Sequence, residues 1–449
     1  MFIPSKIGSA GSSAQNSSTA LANAPPTGIT FADTAIGDGS TDGNSGEKEK
    51  FFGKMRRKTS FYIPNSNTKA NTSTFVNKIV TYDNLALFLT SRGPEAHYFF
   101  INIGRQFLWA DYTLETKPAL SCLQLKEAFV TCHDVNPLTR ENMDTVLGFN
   151  TGDIMIYSPI SGKYDRKNKQ FVISKSAVTC IKWMPGSESL FMVGFADGAV
   201  MILDKDREDS STVVPLSSDE SSGFPIYKPP KGAHKHNPIS QWQLSKRPIT
   251  SIQFSPDSVH VAITSSDGCL RILDHTTERL LDTCSSYFGG LICCAWSPDG
   301  KYVVTGGEDD LVTIWAFGGR IVARCQGHSS WVTSVAFDPY NCTERSYRFA
   351  SVSDDTRICM WDFSASSLHK PRVRKSRYVD SDKVATNNVH PVLSKKQVAI
   401  LEPFMTQSIH TEPLHFIAFR EDSVVTADRI GVVKFWSRPK VDILEDGDM

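Results

Sequence analysis

The sequence has no charge excess: 48 Lys and Arg stand against 48 Asp and Glu, a formal net charge of +0. A primary role on nucleic acid or on a membrane surface would need a basic excess, so neither partner is expected. No apolar run is long enough to span a bilayer. The opening residues, MFIPSKIGSAGSSAQ, show no apolar core behind a basic start, and secretion is not expected. Zinc-type spacing is missing too. None of the ten cysteines forms a Cys-x-x-Cys pair backed by a second Cys or His pair. Cys269, Cys293, Cys294 and Cys359 sit in apolar runs and read as small, reduced core residues. That usage fits the cytoplasm, with the nucleus also open. Phosphate-loop and paired-carboxylate motifs are lacking; Thr305-Gly306-Gly307-Glu308-Asp309-Asp310 reads as strand and turn. Hence no metal, no cofactor, no catalytic residue and no small-molecule substrate is expected.

What is present is strand and turn. Helical periodicity is scarce, and short runs of Val, Ile, Phe and Trp alternate with Gly, Asp, Asn and Pro from about residue 75. The preceding segment, residues 1–73, is rich in Ser, Gly and Asn and reads as a disordered tail that buries too little to offset chain entropy. Its end carries a basic cluster, Lys54 to Lys58, ahead of Thr59 and Ser60, read as a solvated charge run at the edge of the fold.

Internal repeats decide the architecture. Ile252-Gln253-Phe254-Ser255-Pro256-Asp257 aligns with Cys294-Ala295-Trp296-Ser297-Pro298-Asp299 and with Val335-Ala336-Phe337-Asp338-Pro339. The anchors Phe254, Trp296 and Phe337 are 42 and 41 residues apart. Each leads through a turn and a strand to an Asp-containing corner, then to another strand. A repeat of this length holding four short strands is a propeller blade. Weaker copies around Trp183, before Ile154 and around Phe419 bring the visible blades to six. The probable strands at residues 97–104 and 106–112 supply a seventh, and ring closure calls for N- and C-terminal strands in one blade. The expectation is an all-β, seven-bladed WD-repeat propeller over residues 74–439, with six or eight blades open, and an acidic tail at 440–449. Trp183 and Phe254 are 71 residues apart and Phe337 and Phe419 are 82 apart, which marks loop insertions at about 205–246 and 364–402. The second insertion holds Arg372, Arg374, Lys375 and Arg377, read as a solvated loop ahead of a nuclear-import patch.

An ideal WD blade holds a bonded set of His, Ser or Thr, Asp and Trp. One blade carries all four: His328, Ser351, Asp355 and Trp361. The blade before it has Thr305, Asp309 and Trp315, with Tyr287 at the His position, and the others lack most of the set. Ser351, His328 and Asp355 resemble a nucleophile, base and orienter. The periodic context assigns them to blade architecture instead, where buried polar groups satisfy one another. Surface chemistry remains. Phe288 and Trp331 lie in the loops that precede two neighbouring inner strands, and Phe288 aligns with Ser329, a position that is usually polar. Exposed aromatics of this kind are binding anchors. Tyr287 is expected to pack where the His would lie, beside that patch.

At these residues the chain resembles a known family. The stretches at 286–290, 296–302 and 304–315, Gly327-His328 with Trp331-Val332, Ala336-Phe337-Asp338-Pro339-Tyr340, Val178 to Trp183 with 185–190, and Leu401-Glu402-Pro403 are similar to the animal WD-repeat family of WD-repeat-containing protein twenty and the dystrophia myotonica WD-repeat protein, which also has a fungal carbon-catabolite-repression member. The likeness runs over about residues 101–439. The first 75 or so residues and the shorter insertions after Phe337 and Phe363 depart from it. The resemblance implies a non-catalytic regulatory subunit that binds and activates a ubiquitin-specific protease, often beside a second WD-repeat activator. It also implies that Phe288 and Trp331 are the protease-contacting aromatics. The competing expectation is a WD-repeat scaffold, such as a substrate adaptor of a ubiquitin ligase.

Overall fold

The computed structural model describes the strands at 3–4 and 55–59 and residues 75–91, 97–111, 119–215, 222–230, 232, 235–364 and 388–438. Seven sheets form seven blades around a channel. The inner strands are His97–Ile103, Val130–Val135, Val178–Trp183, Ile249–Phe254, Leu291–Trp296, Val332–Phe337 and Leu414–Phe419, one each for blades 1 to 7. Successive inner strands of blades 2 to 7 touch one another. Blade 5 shows the plan: from Leu291–Trp296 the sheet steps outward through Tyr302–Gly307, Leu311–Ala316 and Ile321–Gln326, each antiparallel to the last. These runs are rich in Val, Ile and aromatic residues, the side chains that pack well on a pleated surface. Turns with Gly or Asp at left-handed positions separate them, among them Gly300 at φ 73° and Asp310 at φ 60°.

The blades lock by a repeated device on their inner strands. Thr131, Thr250 and Thr333 each donate from Oγ1 to the first carbonyl of the next inner strand: Val178 at 2.7 Å, Leu291 at 2.8 Å and Leu414 at 2.6 Å. Small residues let the faces close. A Cβ on Gly306 would lie 2.5 Å from Cγ1 of Val332 in the next blade, so a larger residue there would push blades 5 and 6 apart. Between the same two blades, Phe337, Phe349, Trp361 and Phe363 pack with Val304, Val312 and Ile314. Burying each such side chain is worth about 1.5–3 kcal/mol. Cys293, Cys325 and Cys359 belong to this core, and all ten cysteines are free thiols. Burial pushes the Cys132 and Cys294 thiols up to about 12, so they stay protonated at neutral pH.

Chain closure differs from the expected boundary. Met55–Thr59 pairs antiparallel with Val433–Ser437 and is the outer strand of blade 7. The basic cluster expected at the edge of the fold is thus part of a blade, and the propeller begins upstream of residue 74. Ile3–Pro4 pairs with the inner strand of blade 1. The remainder of the expected tail, and all of the expected acidic tail, lie outside the described residues. Blade 1 takes its outer strand, Val76–Thr81, from upstream of its inner strand, across the helix Leu85–Ser91.

Both insertions carry structure. Ser240–Gln243, placed by sequence reading within the first, is the outer strand of blade 3; Ile226–Lys228 and Val214–Pro215 extend the sheet beyond it. Trp242 explains the order there: fully buried, it packs edge-on against Phe224. The second insertion leaves blade 6 after Phe363 and returns as a strap. Asn388–His390 adds in parallel to the edge of blade 4, and Ala399–Leu401 adds in parallel to the edge of blade 5. The chain then re-enters blade 6 as its outer strand, Met405–Ser408. His390 Nε2 lies 2.7 Å from the buried Asp282 carboxylate, and Arg324 Nη2 donates to the Leu393 carbonyl at 2.7 Å. Gly319 makes room, since a Cβ there would lie 2.0 Å from the His390 ring. Residues 365–387, with the basic patch, lie outside the described residues.

Candidate protein-interaction face

The expected blade set is assembled in blade 6. His328 Nδ1 lies 3.0 Å from Asp355 Oδ2, His328 Nε2 lies 2.8 Å from Ser351 Oγ, and Trp361 Nε1 donates to Ser351 Oγ at 2.8 Å. Asp355 also accepts the Ser329 N–H at 3.0 Å, which ties the preceding loop to the blade. Burial works against a charged imidazole at His328, but the Asp355 carboxylate outweighs it and raises the pKa to about 9. Burial likewise opposes ionisation of Asp355, and His328 with two backbone N–H groups lowers it to about 2. The pair is therefore ionic at neutral pH. The side chains of His328 and Asp355 are only 1% and 5% exposed and Ser351 is fully buried, so this triad-like set faces the blade interior rather than a substrate.

A second complete set was not found by sequence reading. In blade 7, His410 lies 2.8 Å from Asp428 and 2.9 Å from Thr426 Oγ1, and Trp436 Nε1 donates to Thr426 at 3.0 Å. The signal was there. His410 precedes its inner strand by four residues, as His328 does, and the hydroxyl and Trp are ten apart in both blades. What obscured it was the Asp, two residues after Thr426 rather than four as in blade 6.

Blade 5 holds half of the set. Trp315 Nε1 donates to Thr305 Oγ1 at 3.0 Å, and Asp309 Oδ1 accepts the Leu311 N–H at 3.3 Å. Burial lifts the Asp309 carboxyl above its usual range. Tyr287 is not enclosed as expected. It stays 40% exposed, with the Arg324 guanidinium 4.6 Å from its ring centre. Arg324 itself is buried.

Phe288 is 74% exposed and Trp331 49%. They lie on the loops entering blades 5 and 6, on the same end of the propeller. The first loop is held behind Phe288. Ser286 Oγ donates to the Gly289 carbonyl at 2.8 Å, and Gly290 N donates to Glu308 Oε2 at 2.9 Å. Gly289, at φ 66°, turns the chain there. Around Trp331, Asp354 N donates to its carbonyl at 3.0 Å and Ser353 Oγ to that of Ser330 at 2.9 Å. Both rings are thus displayed from loops with fixed backbones. Phe129 stands one residue before the inner strand of blade 2, as Trp331 does in blade 6, and is 46% exposed; sequence reading passed over it. Among the described residues, no group of three or more His, Cys, Asp or Glu is placed to hold a metal ion, and no helix is long and apolar enough to cross a membrane.

Comparison with known proteins agrees with this architecture. The family model described as "WD domain, G-beta repeat" matches residues 237–274, 279–316 and 319–362. The UBP9-binding protein bun62 of Schizosaccharomyces pombe is 34% identical over 417 residues, covering 82% of this chain and 76% of the relative. The chain belongs to the WD-repeat family of that protein. A solved chain titled "Crystal Structure of Mitotic Checkpoint Complex" overlays with a TM-score of 0.55 at 14% identity, covering 91% of this chain and all of that one, a likeness of fold alone. As a member of this family, the chain is a seven-bladed WD-repeat propeller whose exposed aromatic loops adjoin two different kinds of blade.

Proposed function

We propose that this propeller is a non-catalytic regulatory subunit that binds a ubiquitin-specific protease through the loops at 286–290 and 327–331 and raises its activity. The observation that carries this reading is Phe288, the most exposed large apolar side chain among the described residues, held on an anchored loop next to Tyr287 in the chain and at the same end of the propeller as Trp331. Solvent exposure of such a ring has no folding benefit, whereas aromatics at the centre of an interface supply most of its binding energy. The family adds the partner, since the fission-yeast relative is named for binding UBP9. Activation would follow if the propeller favours the competent arrangement of the protease, a shift limited by its differential affinity for the two states. A second WD-repeat activator in the same complex, and action in the cytoplasm and nucleus, complete the proposal. Phe288→Ala with Trp331→Ala, titrated against a purified ubiquitin-specific protease, is expected to cost about 2 kcal/mol or more, roughly a thirtyfold loss of affinity, with the melting temperature kept. Binding and stimulation that both survive the double substitution would refute the assigned face.

A further inference from the structure

The opposite mouth of the channel carries a second site. The next-to-last residues of the inner strands of blades 2 to 6 are Asp134, Lys182, Gln253, Ala295 and Ala336. Blades 2 to 4 carry polar side chains at this position, and blades 5 and 6 carry alanines. All five line a cavity of about 370 Å³ at this end, within the range of ligand pockets. Its mouth is rigid. Each of these five inner strands is followed, two residues on, by a proline: Pro137, Pro185, Pro256, Pro298 and Pro339.

The polar wall specifies the chemistry. Lys182 Nζ lies 3.1 Å from Asp134 Oδ1, and Asp134 Oδ2 accepts the Trp183 backbone N–H at 2.9 Å, so this buried pair is neutral as a unit. Beside it, the Gln253 side-chain N–H₂ and the Trp183 indole N–H are buried and find no acceptor among the described residues. Each residue is 5% exposed. A buried donor left unpaired costs about 1–3 kcal/mol, which an arriving acceptor recovers. Two neutral donors beside a neutralised ion pair favour carbonyl oxygens over a free anion, and the apolar remainder favours an aliphatic or aromatic body. The turns around the mouth extend the apolar surface outward, with Leu138 48%, Val259 38% and Tyr340 49% exposed. A small enclosed ligand would not reach them; a polypeptide would.

We infer that this mouth binds a partner polypeptide, which inserts one apolar side chain into the space over Ala295 and Ala336 and presents its flanking backbone carbonyls to Gln253 and Trp183. The site is independent of the aromatic loops on the other face. The test uses linear nonapeptides displayed on phage, panned on the full chain, with the strongest binder then synthesised and titrated. Expected is a peptide with a central apolar residue, weakened about tenfold or more by Ala336→Leu, which fills the cavity. Gln253→Met, which keeps the volume and removes the donor, is expected to weaken it about fivefold. Phe288→Ala should leave it unchanged. Melting curves establish that each variant folds, and the Gln253 variant decides the matter if the filled one does not. Failure to enrich any peptide, equal binding to wild type and both cavity variants, or loss of binding through Phe288→Ala would each overturn the inference.

Discussion

Blades 5 and 6 are neighbours built on one repeat, yet their entry loops are held in different ways. In blade 6 the imidazole of His328 joins the loop to Ser351 and Asp355 inside the blade. In blade 5 that place belongs to Tyr287, half out in solvent against Arg324, and the loop is held instead by Ser286, Glu308 and the glycines between them. Arg324 in turn reaches the strap through the Leu393 carbonyl. The blade without the internal imidazole displays the most exposed aromatic. A repeat can thus give up its internal cross-link where the loop has other work, provided backbone bonds at the loop's base replace it.

The largest expected effect separates the two blades directly. Asp355→Ala strips the buried imidazolium of its partner and should cost about 3–5 kcal/mol in urea unfolding. Asp309→Ala removes only the acceptor for backbone N–H groups and should cost about 1 kcal/mol. Equal losses would break the contrast.

Next comes pH. The folded pKa of His328, about 9, lies above its ordinary 6.5, so its stabilisation is complete below pH 6.5 and disappears as pH climbs through about 9. Asp355, at about 2, contributes above its ordinary 3.8 and loses that contribution as pH falls through about 2. Unfolding free energy should therefore fall by something on the order of 2–3 kcal/mol between pH 6.5 and 9, and His328→Gln should flatten that slope. Blade 5 has no imidazole at this position to titrate.

A smaller effect concerns what the blades share. Trp361→Phe and Trp315→Phe each delete one indole donor to a buried hydroxyl, and each should cost about 1–2 kcal/mol by thermal unfolding. A much larger cost in blade 6 would mean that its bonds act cooperatively. Smallest is the converse repair: Tyr287→His places an imidazole opposite Thr305 and Asp309 and should stabilise the chain by at most about 1 kcal/mol, measured by the same melts.

The repeat, the fold and the blade 6 set were legible because their signals are local: strand alternation, turn residues and fixed offsets within some 40 residues. The exposure expected for Phe288 and Trp331 was legible for the same reason, since a blade's register assigns each loop position to one end of the propeller. Tyr287 escapes the repeat pattern because its neighbour in space, Arg324, comes from the outer strand of the same blade, 37 residues on, at a position the blade offsets do not mark. The set in blade 7 was obscured by a shifted Asp, although the distance from His410 to its inner strand carried it.

Sequence alone thus determined that this chain is a ring of WD blades and which side chains form the bonded set of blade 6. That N- and C-terminal strands share one blade was expected; only the tertiary structure decided that the N-terminal one is Met55–Thr59, on Val433–Ser437, and where the strap lies, along the edges of blades 4 and 5. The physical reason is that these strands join open sheet edges through backbone N–H and C=O groups, which almost any sequence supplies. Their partners lie up to hundreds of residues away, so no local pattern marks the pairing. The channel-end cavity has the same origin: two alanines mean little in the sequence until the ring sets them opposite Gln253 and Lys182.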